Sequence, residues 1–135
     1  MNVPPEAVRV AGGWAVMAEG DLRAAELLLA SSEGGDLWIV CFHAQQCAEK
    51  YLKALLTLCA VDFPRVHDLT ELPHLVPGGI GLGLSSEEIA ALNPYAVDTR
   101  YPGDWTAVDP EEAGEAVALA RKVRDEVRKR LPQIP

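Results

Sequence analysis

Four polar side chains recur along one stretch of this chain at the spacing of a helix face. His43, Gln46, Lys50 and Lys53 are separated by three or four residues, so on a helix they fall within one narrow strip. The strip combines two ammonium groups with an imidazole and an amide, and these groups bind phosphate oxygens or transfer protons. We predict that this polar strip is the functional surface of the chain.

Two simpler interpretations of the polar strip stay open. A solvated helix face would also carry Lys50 and Lys53, with pairs four residues apart such as Glu49 with Lys53. The imidazole of His43 favours a functional surface, because a solvated face has no need of it. The alternative role for His43 is a hydrogen bond across an interface between two copies of the chain.

Further candidates lie outside that helix. Arg100 and Tyr101 fall in a loop marked by a Pro-Gly pair, where a guanidinium would bind phosphate and a tyrosine ring would stack on a base. The competing interpretation ties Arg100 to a helix carboxylate and packs Tyr101 over the end of the fold. Asp21 lies among apolar positions, so we expect it to face inward and to form a salt bridge with Lys50 or Arg100.

The elements that must position these residues are helices. Apolar residues recur every three or four positions over residues 4–31, 37–60 and 110–131. Ser85 and Glu88 form a capping box that begins another helix, which runs through about Leu92 and continues to Asp98 if the chain kinks at Pro94. Residues 67–72 have room for one or two turns. The predicted fold is therefore all-α, an antiparallel up-and-down bundle of four long helices plus one short helix.

Composition restricts the class of protein. The chain has 135 residues, 49% of them hydrophobic, which suits one domain over residues 1–135. Its formal net charge is −8, from 20 acidic and 12 basic residues, and this argues against nonspecific wrapping of nucleic acid but leaves room for a local basic patch. No apolar run approaches the roughly 18 residues that span a membrane, so we expect a cytoplasmic protein.

The chain shows no motif for a metal or cofactor. Cys41, Cys47 and Cys59 are odd in number and lack the spacing of a zinc site. We expect Cys41 to be buried and Cys47 to be partly exposed at the edge of the polar strip. The glycine-rich run at residues 78–83 lacks the Gly-Lys-Ser or Gly-Lys-Thr ending of a phosphate loop. We therefore expect no metal site and no cofactor.

Four segments in order resemble the HEPN domain family. The long motif Phe-His-Ala-Gln-Gln-Cys-Ala-Glu-Lys-Tyr-Leu-Lys-Ala-Leu-Leu at residues 42–56 is the specific one, and the shorter ones are residues 21–28, 67–69 and 100–102. The resemblance implies a helical bundle that commonly forms a homodimer and often acts with a minimal nucleotidyltransferase as a toxin-antitoxin-like pair. Some members are metal-independent endoribonucleases, and others are noncatalytic modules that bind nucleotides or RNA.

One departure from the family pattern bears on catalysis. The ribonuclease members use an arginine followed, after four to six residues, by a histidine. Here Arg100 is followed across that window by Trp105, Thr106 and Ala107. We therefore predict a noncatalytic module in which His43, Gln46, Lys50, Lys53, Arg100 and Tyr101 bind a nucleotide or RNA. The alternatives are a ribonuclease that uses His43 and a purely structural dimerising protein.

Overall fold

The computed structural model describes residues 3–31, 37–63, 71–77, 82–96 and 108–131. Within these ranges the chain is helical and contains no strand. The helices are α1 (Pro5–Ser31), α2 (Leu37–Leu58), α3 (Leu72–Leu75), α4 (Ser86–Ala90) and α5 (Pro110–Arg128), with a 3-10 helix at Asn93–Tyr95 after α4. The predicted all-α class is confirmed.

Helix α2 is the centre of the bundle, because α1 and α5 both pack against it. Asp21 of α1 contacts His43 near the start of α2, whereas Trp14 contacts Lys53 further along it, so α1 and α2 are antiparallel. Tyr51 of α2 contacts Arg128 near the end of α5, and Cys41 interacts with Glu112 near its start. Helix α5 therefore runs in the same direction as α2, as an up-and-down bundle requires.

Most of the circumference of α2 is buried in the bundle. Its buried residues include the apolar set Val40, Cys41, Ala44, Ala48, Leu52 and Leu55 as well as polar Gln45, Glu49 and Lys53. Small residues of α1, such as Ala11, Ala15, Ala18 and Ala25, are buried against it. Small side chains allow the two helix backbones to approach closely, which brings the polar groups of α1 and α2 into contact.

The helix starts follow local signals. The Ser85 side chain accepts a hydrogen bond from the Glu88 N–H at 3.0 Å, and the Glu88 carboxylate accepts one from the Ser85 N–H at 3.1 Å, so the predicted capping box is confirmed. Asp109 caps α5 in the same way, by accepting from the Glu112 N–H at 2.8 Å. Helix α4 ends at Ala90, and the expected continuation past Leu92 is a 3-10 helix at Asn93–Tyr95 that contains Pro94 rather than a kinked α-helix. Its last expected residues, 97 and 98, lie outside the described residues.

Two expectations about solvent exposure have different outcomes. Cys41 is buried as predicted, but Cys47 is also fully buried, and its predicted partial exposure is wrong because α1 covers that side of α2. No described helix is long and apolar enough to cross a membrane.

Candidate functional site

Asp21 is the centre of the first polar cluster between α1 and α2. Its carboxylate contacts the Lys50 ammonium at 2.5 Å and His43 Nδ1 at 2.9 Å, so the predicted salt bridge to Lys50 is confirmed. Because a carboxylate only accepts hydrogen bonds, Nδ1 of His43 carries the proton in this contact. The other ring nitrogen is then left to accept a hydrogen bond or a proton from a ligand. The His43 side chain is 28% exposed.

Lys53 belongs to a different environment from Lys50. Its ammonium contacts the Glu49 carboxylate at 3.2 Å and lies 5.2 Å from the centre of the Trp14 ring and 5.8 Å from that of Phe63. The Lys53 side chain is only 10% exposed. The lysine therefore neutralises a buried carboxylate and makes cation–π contacts at the α1–α2 interface. The structure separates it from His43 and Lys50.

The remaining sequence candidates are placed as follows. The amide nitrogen of Gln46 donates to the side-chain oxygen of Gln45 at 2.7 Å, and the amide of Gln45 donates to Glu49 at 3.2 Å. Gln46 is thus connected to the network of Lys53 and is itself partly exposed. Arg100 and Tyr101 lie outside the described residues, so their roles stay predictions.

A second polar cluster joins α1, α2 and α5 around Glu19. The Glu19 carboxylate accepts hydrogen bonds from the Tyr51 hydroxyl, from Arg124 Nε and, at 3.2 Å, from Arg128 Nη1. Arg128 Nη1 also lies 3.1 Å from the Tyr51 hydroxyl. Three helices therefore meet at one carboxylate.

The charges in this second cluster determine the protonation of its members. Burial and the hydrogen bond to Glu19 raise the pKa of Tyr51 to about 12, so the phenol keeps its proton at neutral pH. Burial by itself would raise the pKa of Glu19, but the hydrogen bonds from Tyr51 and Arg124 and the charges of Arg124 and Arg128 lower it below its usual value of 4.5. Glu19 is consequently an anion that orients two guanidinium groups.

The two clusters lie side by side on the bundle. Cys47 is buried between them and experiences the charges of Glu19, Asp21, Arg124 and Lys50. We call the combined group the cationic cluster, which consists of His43, Lys50, Tyr51, Arg124 and Arg128 with the carboxylates of Glu19 and Asp21. Burial raises the pKa of the Cys47 thiol well above its usual range, so this cysteine is not a nucleophile.

The cationic cluster has unused capacity for an anion. Arg124 Nη1 also contacts the Asp125 carboxylate at 3.0 Å, so the three cations of the cluster face three carboxylates. The capacity for an anion therefore comes from donors of Arg128 that these contacts do not use. The described hydrogen bonds of Arg128 all come from Nη1, and its side chain is 44% exposed. Because a guanidinium has five N–H donors in a fixed fork, the remaining donors of Arg128 suit a phosphate oxygen.

Four of the seven residues of this cluster are not evident from the sequence. The periodicity of α2 places Tyr51 on its apolar face, the basic residues of α5 are explained by the helix dipole alone, and no pattern marks Glu19. One signal is present: Arg124 and Arg128 are four residues apart and therefore share a helix face. Their approach to Glu19 joins residues separated by 105 and 109 positions, which no local pattern reports.

Comparisons with known proteins agree with this helical architecture. A model of the HEPN domain matches residues 11–130. The crystal structure of TT1696 from Thermus thermophilus is similar, with 31% sequence identity and a TM-score of 0.75 over 90% of this chain and 98% of that one. The crystal structure of ST0689, an archaeal HEPN homologue, has 26% identity and a TM-score of 0.68 over the same shares. A search of curated proteins gives no match.

The fold defines a helical bundle with charged residues at the contacts between its three longest helices. Because the HEPN model covers most of the sequence, the chain belongs to the HEPN domain family. The predicted family is therefore confirmed.

Proposed function

We propose that this HEPN protein is a noncatalytic, homodimeric module that binds a nucleotide or RNA through phosphate contacts at the cationic cluster. The observation that carries the proposal is the convergence of Lys50, Arg124 and Arg128 from two helices, with Arg128 partly exposed and its donors only partly used. Tyr51 and the two carboxylates hold these cations in place. Cations held in this way lose less conformational entropy on binding a phosphate.

The proposal revises the set of ligand-binding residues. His43 and Lys50 stay in it, and Arg124 and Arg128 join it. Lys53 is left out because its ammonium is buried against Glu49 and Trp14. Gln46 remains a predicted contact on α2, and Arg100 and Tyr101 remain contacts predicted from the sequence.

Substitution of Arg128 tests the phosphate contact. In the Arg128→Ala variant we expect affinity for a labelled single-stranded RNA, or for a nucleoside triphosphate, to fall by roughly ten- to a hundredfold, because charge-assisted hydrogen bonds are lost. Lys50→Ala should also lower the affinity. Fluorescence anisotropy at fixed salt measures both.

Lys122→Ala is the matched control for Arg128→Ala. It removes the same charge from α5 at a side chain of nearly equal exposure, 45% against 44%, but Lys122 pairs with Glu88 outside the cationic cluster. Affinity should stay close to that of the wild type. Equal losses in the two variants would indicate a nonspecific charge effect, and unchanged affinity in both Arg128→Ala and Lys50→Ala would refute the proposed site.

One observation favours a second candidate function, a metal-independent endoribonuclease. Asp21 contacts Nδ1 of His43 and fixes that nitrogen as the proton carrier, an arrangement that orients the other ring nitrogen for proton transfer. This function predicts cleavage of RNA by the purified protein in EDTA and its loss in His43→Ala. Absence of cleavage by the wild type rejects it in favour of binding alone.

Membership of the HEPN family also supports a protein partner. We propose a minimal nucleotidyltransferase that acts with this chain as a toxin-antitoxin-like pair. Affinity purification of the tagged protein from its native cells, followed by mass spectrometry, should recover such an enzyme. Recovery of the chain without any nucleotidyltransferase contradicts this part of the proposal and leaves the RNA-binding experiment unaffected.

A further inference from the structure

Three arginines of α5 lie in one row along the contact between α5 and α1. Arg121, Arg124 and Arg128 are three and four residues apart, so they share one side of the helix. Arg121 Nη2 donates to Glu26 of α1 at 2.6 Å, and Arg124 and Arg128 both donate to Glu19. We call these three arginines the arginine row. Its Glu19 end belongs to the cationic cluster, and its Arg121 end extends beyond that cluster.

The two ends of the arginine row are too far apart for one phosphate group. Glu19 and Glu26, which hold the guanidinium groups in place, are seven residues apart on α1, or about 10.5 Å along the helix. Within the described part of the chain Arg121 uses only Nη2, and its side chain is 52% exposed. Its remaining N–H donors therefore suit a second phosphate, separate from the one at Arg128.

Arg23 adds an unpaired positive charge beside the arginine row. It lies four residues after Glu19 and three before Glu26 on α1, so it is a surface neighbour of both. Its side chain is exposed and makes no hydrogen bond or ion pair to the residues that the structure describes. Because both neighbouring carboxylates are already paired with α5, the Arg23 guanidinium is left to bind an anion between the two ends of the row.

The distribution of charge favours a few consecutive phosphates over a long backbone. Residues 121–130 hold six of the 12 basic residues of the chain, and Arg23 is a seventh cation beside them. The carboxylates in this segment and in contact with it are five: Asp125, Glu126, Glu19, Glu26 and Glu88. A local excess of positive charge remains, whereas the whole chain has a net charge of −8 and repels a long phosphate backbone elsewhere.

We infer that the arginine row, together with Lys50 and Arg23, binds an RNA strand through at least two consecutive phosphates rather than a free nucleotide. This inference rests on the proposed function and narrows its class of ligand. One phosphate lies at Arg128 and Lys50, and a following phosphate lies at Arg121. Arg23 contacts the strand between them. Affinity should therefore rise with the number of consecutive phosphates.

A length series tests the inference. Uridine monophosphate and 5′-phosphorylated uridine oligonucleotides of two and three residues would compete with a labelled RNA for the protein, followed by fluorescence anisotropy at fixed salt. The trinucleotide should bind at least about tenfold more tightly than the monophosphate, because each further phosphate adds charge-assisted hydrogen bonds.

Two variants assign this gain to the arginine row and to Arg23. Arg121→Ala and Arg23→Ala should each lose most of the gain while they bind the monophosphate as the wild type does. Lys122→Ala is the matched control for Arg121→Ala. The two residues are adjacent on α5, their side chains are 45% and 52% exposed, and each pairs with a glutamate at 2.6 Å. Lys122→Ala should keep the full gain.

The outcomes separate this inference from the proposed function. Equal affinity for the monophosphate and the trinucleotide, with both weakened by Arg128→Ala, refutes the strand and leaves the phosphate site intact. A gain that persists in both Arg121→Ala and Arg23→Ala, or that is lost equally in Lys122→Ala, refutes the role of these arginines. Absence of binding by every ligand of the series refutes the proposed function and the inference together.

Discussion

Two lysines of α2 show that chemically identical side chains three residues apart can have different roles. Lys50 pairs with Asp21 beside the exposed arginines, whereas Lys53 is enclosed by Glu49, Trp14 and Phe63. Their sequence spacing places both on one strip. The side chains that cover Lys53 come from α1 and from the segment after α2, so the pattern of α2 alone could not reveal its burial.

Substitution of each lysine should separate stability from binding. Lys53→Ala removes the ion pair between Lys53 and the buried Glu49 carboxylate together with the cation–π contacts to Trp14 and Phe63, so we expect a loss of about 3 kcal/mol in the free energy of unfolding and an RNA affinity close to that of the wild type. Lys50→Ala should instead weaken RNA binding, and it should cost less stability than Lys53→Ala because the Asp21 carboxylate is more exposed than that of Glu49, 12% against 2%, and keeps its contact with His43. Urea denaturation and anisotropy titration measure the two quantities. A Lys53→Ala protein with normal stability but weak RNA binding would contradict the assignment of Lys53 to stability and of Lys50 to binding.

At the scale of single helices, the sequence predicts where a helix begins better than it predicts which side chains of other elements pack around it. The Ser85–Glu88 and Asp109–Glu112 contacts each span three residues, so the information needed to place these ends is local. The apolar periodicity of α5 likewise identifies its buried residues Ala113, Ala116, Val117, Ala120, Val123 and Val127.

For helix α2, local sequence information does not predict the full set of buried residues. Its periodicity indicates one apolar side, but Cys47, Gln45, Glu49 and Lys53 are buried as well. Which polar side chains become buried depends on partners from other helices. The same holds for the candidate site. The periodicity of α2 alone identifies His43 and Lys50, whereas Glu19, Arg124 and Arg128 can be identified only from contacts between helices in the folded bundle.

At the scale of the whole molecule, Glu19 links the three longest helices through Tyr51, Arg124 and Arg128. The pKa of Glu19 is lowered in the folded protein. Its contribution to stability is therefore complete above the unfolded value of 4.5 and is lost as the pH falls through the lower folded value. Acid should therefore weaken the contacts that Glu19 makes between the three helices.

The Glu19→Gln variant tests that linkage. At pH 7 we expect it to lower the free energy of unfolding by about 2 kcal/mol, because charged hydrogen bonds are replaced by neutral ones. As the pH falls below 4.5 and through the lower folded pKa of Glu19, the difference from the wild type should shrink, since Glu19 becomes neutral first in the unfolded and then in the folded state. Glu6→Gln, which affects only an exposed pair within α1, should change stability little at either pH. A difference that does not depend on pH would refute the ionic role of Glu19.

The burial of the cysteines has a practical consequence. Cys41 and Cys47 are fully buried, and burial raises the thiol pKa of both, to about 11 for Cys41. Burial also raises the pKa of the partly exposed Cys59. Maleimide reagents react with accessible thiolates, so at neutral pH the folded chain should take up label slowly at Cys41 and Cys47. Replacing Cys59 alone should therefore be enough before a fluorophore is placed at a chosen surface position.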